Sequence, residues 1–298
     1  MAGRAGAGAS VPRRATISAD IGPAYAAQMV GVLARLAPAA PVHVVDDRLP
    51  RHDVRTAAFL IRSILPWFPP GSVHLVIVDP GVGTSRRPLA VECRGPAYLV
   101  GPDNGVLWPA AERLGFLGAV AIDPARVVRD RVGTTFDGRD LFAPAAAWLL
   151  RGRPLRSLGL PVRPSVLRLA EPETSAGGIR GEVVYVDPFG NAITNLPSDR
   201  VFTGGSGGQL RVRWDSGPER RLRMVRAYGE LAPGETGLLA SSFGTIEIAI
   251  DQGSAAERWG IGPGTTVAIA GATGGLSRTG SEGTPRGRGR PARPTRGR

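Results

Sequence analysis

Lysine is missing from this 298-residue chain; all 37 of its basic residues are arginine. That absence excludes a Walker A phosphate loop and any Schiff-base chemistry, both of which need a lysine amine. There is one cysteine, Cys93, so no intramolecular disulfide can form, and a reducing compartment fits. Three histidines at scattered positions offer no zinc-like spacing. No run of about 18 apolar residues exists to span a bilayer, and the opening MAGRAGAGASVPRRA lacks the apolar stretch of a secretory leader. The expectation is a soluble, cytoplasmic protein without a membrane partner.

What is present is a hydrophobic content of 42%, enough for a sizeable core, and a formal charge of +12. Such a charge suggests nucleic acid until its location is considered. Arg4, Arg13 and Arg14 open the chain, and residues 273–298 hold seven arginines against Glu282, so the tails carry three quarters of the excess. The body is left near +3, which argues against a basic groove and against a specific nucleic-acid partner. The tails, 1–14 and 273–298, are rich in Gly, Arg and Pro without hydrophobic period and read as disordered.

Between them the chain has two textures. Strand-like Ala15–Ala19, Val42–Asp46 and Val73–Val78 alternate with helix-like Ala24–Leu36 and Asp53–Leu65, the pattern of a sheet covered by helices. Leu89–Glu92 and Ala97–Val100 extend the strand series; Leu107–Arg113 and Leu141–Leu150 read as helices. After a Pro- and Gly-rich stretch come six short strands divided by turns: Gly181–Val186, Gln209–Trp214, Arg221–Val225, Gly237–Ala240, Thr245–Ile250 and Thr265–Ile269. The expected class is α/β: an N-terminal α/β domain (15–160) with a helix-covered central sheet, a linker (161–178), and a C-terminal all-β barrel domain (179–272).

Chemistry-bearing residues gather in turns. Asp79-Pro-Gly-Val-Gly-Thr-Ser-Arg86-Arg87 follows the most apolar strand, at the carboxyl end where open α/β sheets place ligand crevices. Glycines 81 and 83 let the chain bend and return Arg86 towards Asp79, and a guanidinium there favours the ionised carboxylate that can polarise water. The bland alternative is an Asp and Arg that merely fix a turn. GPDNG (101–105) says no more than turn. In TTFDGRD (134–140), Asp140 reads as a helix N-cap, which leaves Asp137 unexplained. Asp187-Pro-Phe-Gly-Asn191 could pair an ammonium and read a base edge, and Ser241-Ser242-Phe243-Gly244 precedes a strand; each alone is an ordinary turn.

Taken together and in order, VDPGVGTSRR, GPDNGVL, TTFDGRDLFAPAAA, VDPFGNAITNL and SSFGTIEIAI resemble the S-adenosylmethionine hydroxide adenosyltransferases, adenosine-forming hydrolases related to fluorinating and chlorinating enzymes. The resemblance spans about residues 16–270. It implies hydrolysis of S-adenosylmethionine at the ribose 5′ carbon, with no cofactor or metal. It also implies a homotrimer whose sites lie between one subunit's first domain and its neighbour's second. By the same resemblance Asp79 and Arg86 match two members of a catalytic triad, and Asp137 stands where the hydrolases carry a histidine. Asp20 matches a ribose ligand, Asp187 and Ser242 contacts to the methionine portion, Asn191 the amide that reads adenine, and Tyr228 an aromatic beside the nucleoside. Phe243, next to Ser242, is counted with the substrate-binding set. The segment from Asp20 to Tyr25 is two residues shorter than in the family. Three classes of function stay open on these grounds: hydrolase, halogenase, and a binding protein without turnover. Of the histidines, His43 and His74 lie in expected strands, and His52 alone is placed to line a pocket.

Overall fold

A computed structural model describes residues 13–95, 97–128, 133, 135–202 and 208–270. The disorder expected of the tails therefore falls, from residue 1 to 12 and beyond 272, outside the described residues. Arg13 and Arg14 are tied to the body, Arg13 through its guanidinium to Leu149 O and Arg14 through its carbonyl to Val73 N.

The first half runs β1 (Ala15–Ala19), α1 (Pro23–Leu36), β2 (Val42–Asp46), α2 (Val54–Ile64), β3 (Val73–Ile77), β4 (Pro88–Cys93), β5 (Ala97–Pro102), α3 (Trp108–Arg113), β6 (Phe116–Ile122), α4 (Pro124–Val127), a π-helical turn (Gly138–Phe142), α5 (Ala143–Leu150) and β7 (Gly159–Pro161). These strands form one sheet in the order β2-β1-β3-β5-β4-β6-β7. The pairs β2-β1, β1-β3 and β3-β5 are parallel and the rest antiparallel. β1 and β3 are buried along their whole length, with Thr16, Ser18 and His74 enclosed among their apolar residues. One face of the sheet packs on α1 and α5 around Met29, Leu33 and Phe142; the other packs on α2 and α3 around Leu60, Ile61 and Ala110.

This order sets the crevice. From β1 the chain crosses over α1 to β2 on one side, then returns over α2 to β3 on the other side of β1. The carboxyl ends of β1 and β3 are thus a topological switch point, where no crossover helix fills the space above the strands.

The second half runs β8 (Glu173–Ser175), β9 (Gly178–Val186), β10 (Ala192–Pro197), α6 (Ser198–Val201), β11 (Gln209–Trp214), β12 (Arg220–Met224), β13 (Thr236–Ala240), β14 (Thr245–Ile250), α7 (Ala255–Trp259) and β15 (Thr266–Ala270). Seven of these strands pair in the cycle β10-β14-β13-β12-β11-β15-β9, and β9 pairs back to β10 to close a barrel; β8 is an outlying hairpin strand on β9. Ile246, Ile248, Val212, Val267 and Ile269 point inward and fill it. The two halves meet where α2 touches β9: Thr56 Oγ1 donates to Val184 O at 3.1 Å, and the Phe59 ring packs on Phe243 at 5.7 Å.

Two expectations are corrected. The helical stretch read from Leu141 starts earlier, at Gly138, as a π-helical turn that runs into α5 at Ala143. Asp140 therefore lies inside that turn and not at its N-cap; its two oxygens take Arg139 Nε at 2.6 Å and Nη2 at 2.9 Å.

Candidate active site

Asp79 emerges just beyond β3, and its loop folds back through Thr84, whose Oγ1 donates to Gly81 O at 2.7 Å and accepts from Arg86 N at 3.3 Å. Gly83 sits at φ +81°, a left-handed conformation that lets the loop reverse within so few residues. The reversal delivers Arg86 onto Asp79: Nε donates to Oδ1 at 3.1 Å while Nη2 donates to Oδ2, a bidentate fork. Nη2 also donates to Asp137 Oδ2 at 3.0 Å. One guanidinium is thus shared between two carboxylates, with side-chain exposures of 8% for Arg86, 7% for Asp79 and 11% for Asp137. Beneath it the Arg86 guanidinium lies over the Phe142 ring at 5.3 Å.

Asp137 reaches this place because the chain before the π-turn presses on α1. A Cβ on Gly138 would stand 2.7 Å from the Phe136 ring and 3.1 Å from Met29 Sδ, so only glycine fits. Burial, the strongest influence, and the charge of Asp137 push the Asp79 pKa up; Arg86 pulls it down without winning.

Asp20 leaves β1 beside this loop, its amide donating to Ile77 O at 3.3 Å. Its carboxylate accepts from His52 N at 2.9 Å. His52 contributes its backbone to the site, held at φ +61°, and its ring is not what touches Asp20. His74 is a core residue, 1% exposed, hydrogen-bonded to Thr16 at 2.8 Å, with a pKa lowered to about 4 by burial. His43 is exposed on the edge strand β2. In the GPDNG turn, Asn104 Nδ2 donates to Val78 O at 2.8 Å and so pins the exit of β3, while Asp103 pairs with Arg87. That turn has a supporting job the sequence alone did not disclose.

The barrel carries a second cluster at the β9-β10 turn. Asp187 Oδ1 accepts from Phe189 N and Asn191 N, both at 2.9 Å, and Asp187 Oδ2 accepts from Asn191 Nδ2 at 2.9 Å. Asn191 Nδ2 also donates to the Tyr228 hydroxyl at 3.4 Å, and that hydroxyl donates to Glu247 Oε1. Burial and the bond to Glu247 raise the Tyr228 pKa; burial also raises that of Glu247. Phe189 and Tyr228 are 80% and 45% exposed, so this cluster opens on an aromatic surface. Glu247 was not anticipated. The available signal was a carboxylate inside TIEIAI, an otherwise apolar strand.

Phe243 and Ser242 stand apart from both clusters. Phe243 packs within its own chain on Phe59 and on Tyr185, the latter at 6.4 Å, and lines a cavity of about 450 Å³ between α2 and the barrel. Ser242 is exposed in the β13-β14 turn. Among the described residues no group of three or more His, Cys, Asp or Glu side chains is arranged to hold a metal ion. Nor is any helix there long and apolar enough to cross a membrane.

With this geometry in hand, comparison with known proteins is direct. Residues 15–159 match the SAM hydroxide adenosyltransferase N-terminal domain, and residues 181–268 match its C-terminal domain. An (R)-S-adenosyl-L-methionine hydrolase of Salinispora tropica is 39% identical over 254 residues, covering 82% of this chain and 92% of that protein. A fluorinase of Actinoplanes sp. is 24% identical over 273 residues, covering 82% and 92%. A crystal structure of a conserved protein from Thermotoga maritima superposes with a TM-score of 0.78 at 32% identity, covering 86% of this chain and 99% of the other. The chain belongs to the SAM hydroxide adenosyltransferase family.

Proposed function

We propose that this protein hydrolyses S-adenosyl-L-methionine to adenosine and L-methionine, acting on the (R)-sulfonium epimer that its hydrolase relatives are named for. The observation that carries the reading is the charge of the Asp79-Arg86-Asp137 cluster, two carboxylates on one guanidinium. Carboxylates at that place suit a cationic sulfonium and a neutral water, and they repel a halide.

In the reaction, the water oxygen forms a bond to the ribose C5′ while the C5′-S bond breaks, its electron pair leaving with the methionine sulfur. Methionine is a neutral leaving group, so the step needs chiefly an aligned nucleophile. Asp79, oriented by the Arg86 fork, holds the water and takes its proton as attack proceeds; that proton then passes to solvent. Asp137 occupies the position of the hydrolases' histidine and steadies Arg86 from its other side. Asp20, fixed by the His52 amide, holds the ribose hydroxyls. On the barrel, Asn191 meets the adenine, Tyr228 lies along the nucleoside, and Asp187 and Ser242 meet the methionine end.

The assembly proposed is a cytoplasmic homotrimer in which the first domain of one subunit faces the barrel of the next. Exposed aromatics at both clusters support it: Tyr25 near the first, 52% exposed, and Phe189 and Tyr228 at the second. Phe243, packed inside its own chain, is left out of the substrate set.

The test is incubation of purified protein with the separate (R) and (S) epimers in chloride or bromide buffer, resolving adenosine from 5′-halo-adenosine, with light scattering for mass. Adenosine from the (R) epimer and a trimeric mass support the proposal. A 5′-halo product would move the protein to the halogenases, and binding without product would make it a sensor.

A further inference from the structure

Glu247 lies in the middle of β14, where Ile246, Ile248 and Ile250 face into the barrel. Strand alternation turns Glu247 outward, under the short turn Tyr228–Glu230, and leaves it 5% exposed. A carboxylate so placed is costly unless a donor satisfies it, and the donor is the Tyr228 phenol.

Counting protons along the cluster gives it a direction. A phenol has one proton, and Tyr228 gives it to Glu247, so towards Asn191 its oxygen can only accept. The Asn191 amide has two protons, and they go to Tyr228 at 3.4 Å and to Asp187 at 2.9 Å. Carboxylates therefore terminate the chain at both ends, and neither end can accept the amide the other way round. The Asn191 Oδ1 receives no hydrogen bond from any described residue. One bond to Asp187 would leave the amide free to swing about it; the second, through Tyr228, fixes its plane.

We infer that Glu247 is a positioning residue for base recognition: acting through Tyr228, it locks the Asn191 amide with its carbonyl oxygen towards the ligand, so the site selects a base bearing an exocyclic amine over one bearing a carbonyl there. The inference rests on the proposal that Asn191 meets the base. Glu247→Gln keeps the shape and removes the acceptor-only end, after which the Tyr228 proton and the amide can turn.

The experiment compares wild type, Glu247→Gln, Tyr228→Phe and the double variant on S-adenosylmethionine and on its 6-oxo analogue, S-inosylmethionine, with adenosine and inosine binding by calorimetry and thermal melts alongside. The expected result for each single variant is a KM for S-adenosylmethionine raised about tenfold with kcat within about twofold, and a preference for the amino base reduced about tenfold. The double variant should be no worse than Tyr228→Phe, since both break one chain. Should Glu247→Gln fail to fold, Tyr228→Phe decides, its ring being 45% exposed. Retained KM and retained preference in a folded variant overturn the inference alone. A wild type that neither binds nor turns over either compound defeats the proposed function and this inference with it.

Discussion

The two polar clusters of this protein are built on opposite plans. The sheet-side cluster is ionic and drawn from distant segments: a guanidinium from the loop after β3 lies between that loop's own Asp79 and the Asp137 that precedes α5. The barrel-side cluster has no cation among the described residues; it is a line of hydrogen bonds from Glu247 through Tyr228 and Asn191 to Asp187. An ionic cluster with two carboxylates can move a proton and stabilise a cation. A directed line of neutral donors ending in carboxylates holds a shape. Under the proposed function, the first cluster serves chemistry and the second serves selection.

The sharpest way to break that division is Asp79→Ala, which should lower kcat about 10³-fold with KM changed little. Asp79→Asn should lose comparable activity while leaving the thermal midpoint unchanged or higher. The raised Asp79 pKa means its contribution to stability is complete below the ordinary carboxylate range and is lost as pH rises through the folded value, so a neutral amide relieves it. A large KM effect from either variant would erase the contrast.

The converse prediction is that Asn191→Ala raises KM about 30-fold and leaves kcat within about threefold, measured by steady-state adenosine release. A smaller effect sharpens the ionic side. Asp137 raises the Asp79 pKa by like charge, so in Asp137→Asn the acid limb of the kcat/KM profile should move to lower pH. An unmoved limb would separate Asp137 from the reacting group. A further effect belongs to the core, away from both clusters. His74 has a folded pKa of about 4, below its unfolded 6.5, so the unfolded chain binds the proton first and stability present above pH 6.5 declines as pH falls towards 4. Urea titrations should show a loss of about 3 kcal/mol across that window, reduced in His74→Gln.

Much of the fold was legible because burial wrote it plainly. β3, covered on both faces, is apolar but for His74, and the turn-punctuated strands after Gly178 alternate around Ile246 and Ile248. β6, in LGFLGAVAID, was missed because its glycines and alanines carry no period. β10 was missed for another reason: Thr194 is buried there by giving its hydroxyl to Ile246 O at 2.7 Å, a partner no local pattern announces. In the site, Asp79 and Arg86 were legible because a single loop joins them. The approach of Asp137 to Arg86, 51 residues away, depends on the tight fit at Gly138 and could come only from the family motif. The packing of Phe243 on Phe59 and Tyr185 was not legible, because proximity in sequence to Ser242 says nothing about the side of the turn on which a ring lands.

Barrel closure gives the Asp187–Asn191 turn a second occupation. β9 and β10 are neighbours in the barrel, and this turn is the covalent link between them. Lengthening it would loosen the weld as well as the grip on a ligand. Exchange of side chains at this rim leaves the strand pairing as it is, whereas a longer turn alters pairing and pocket together.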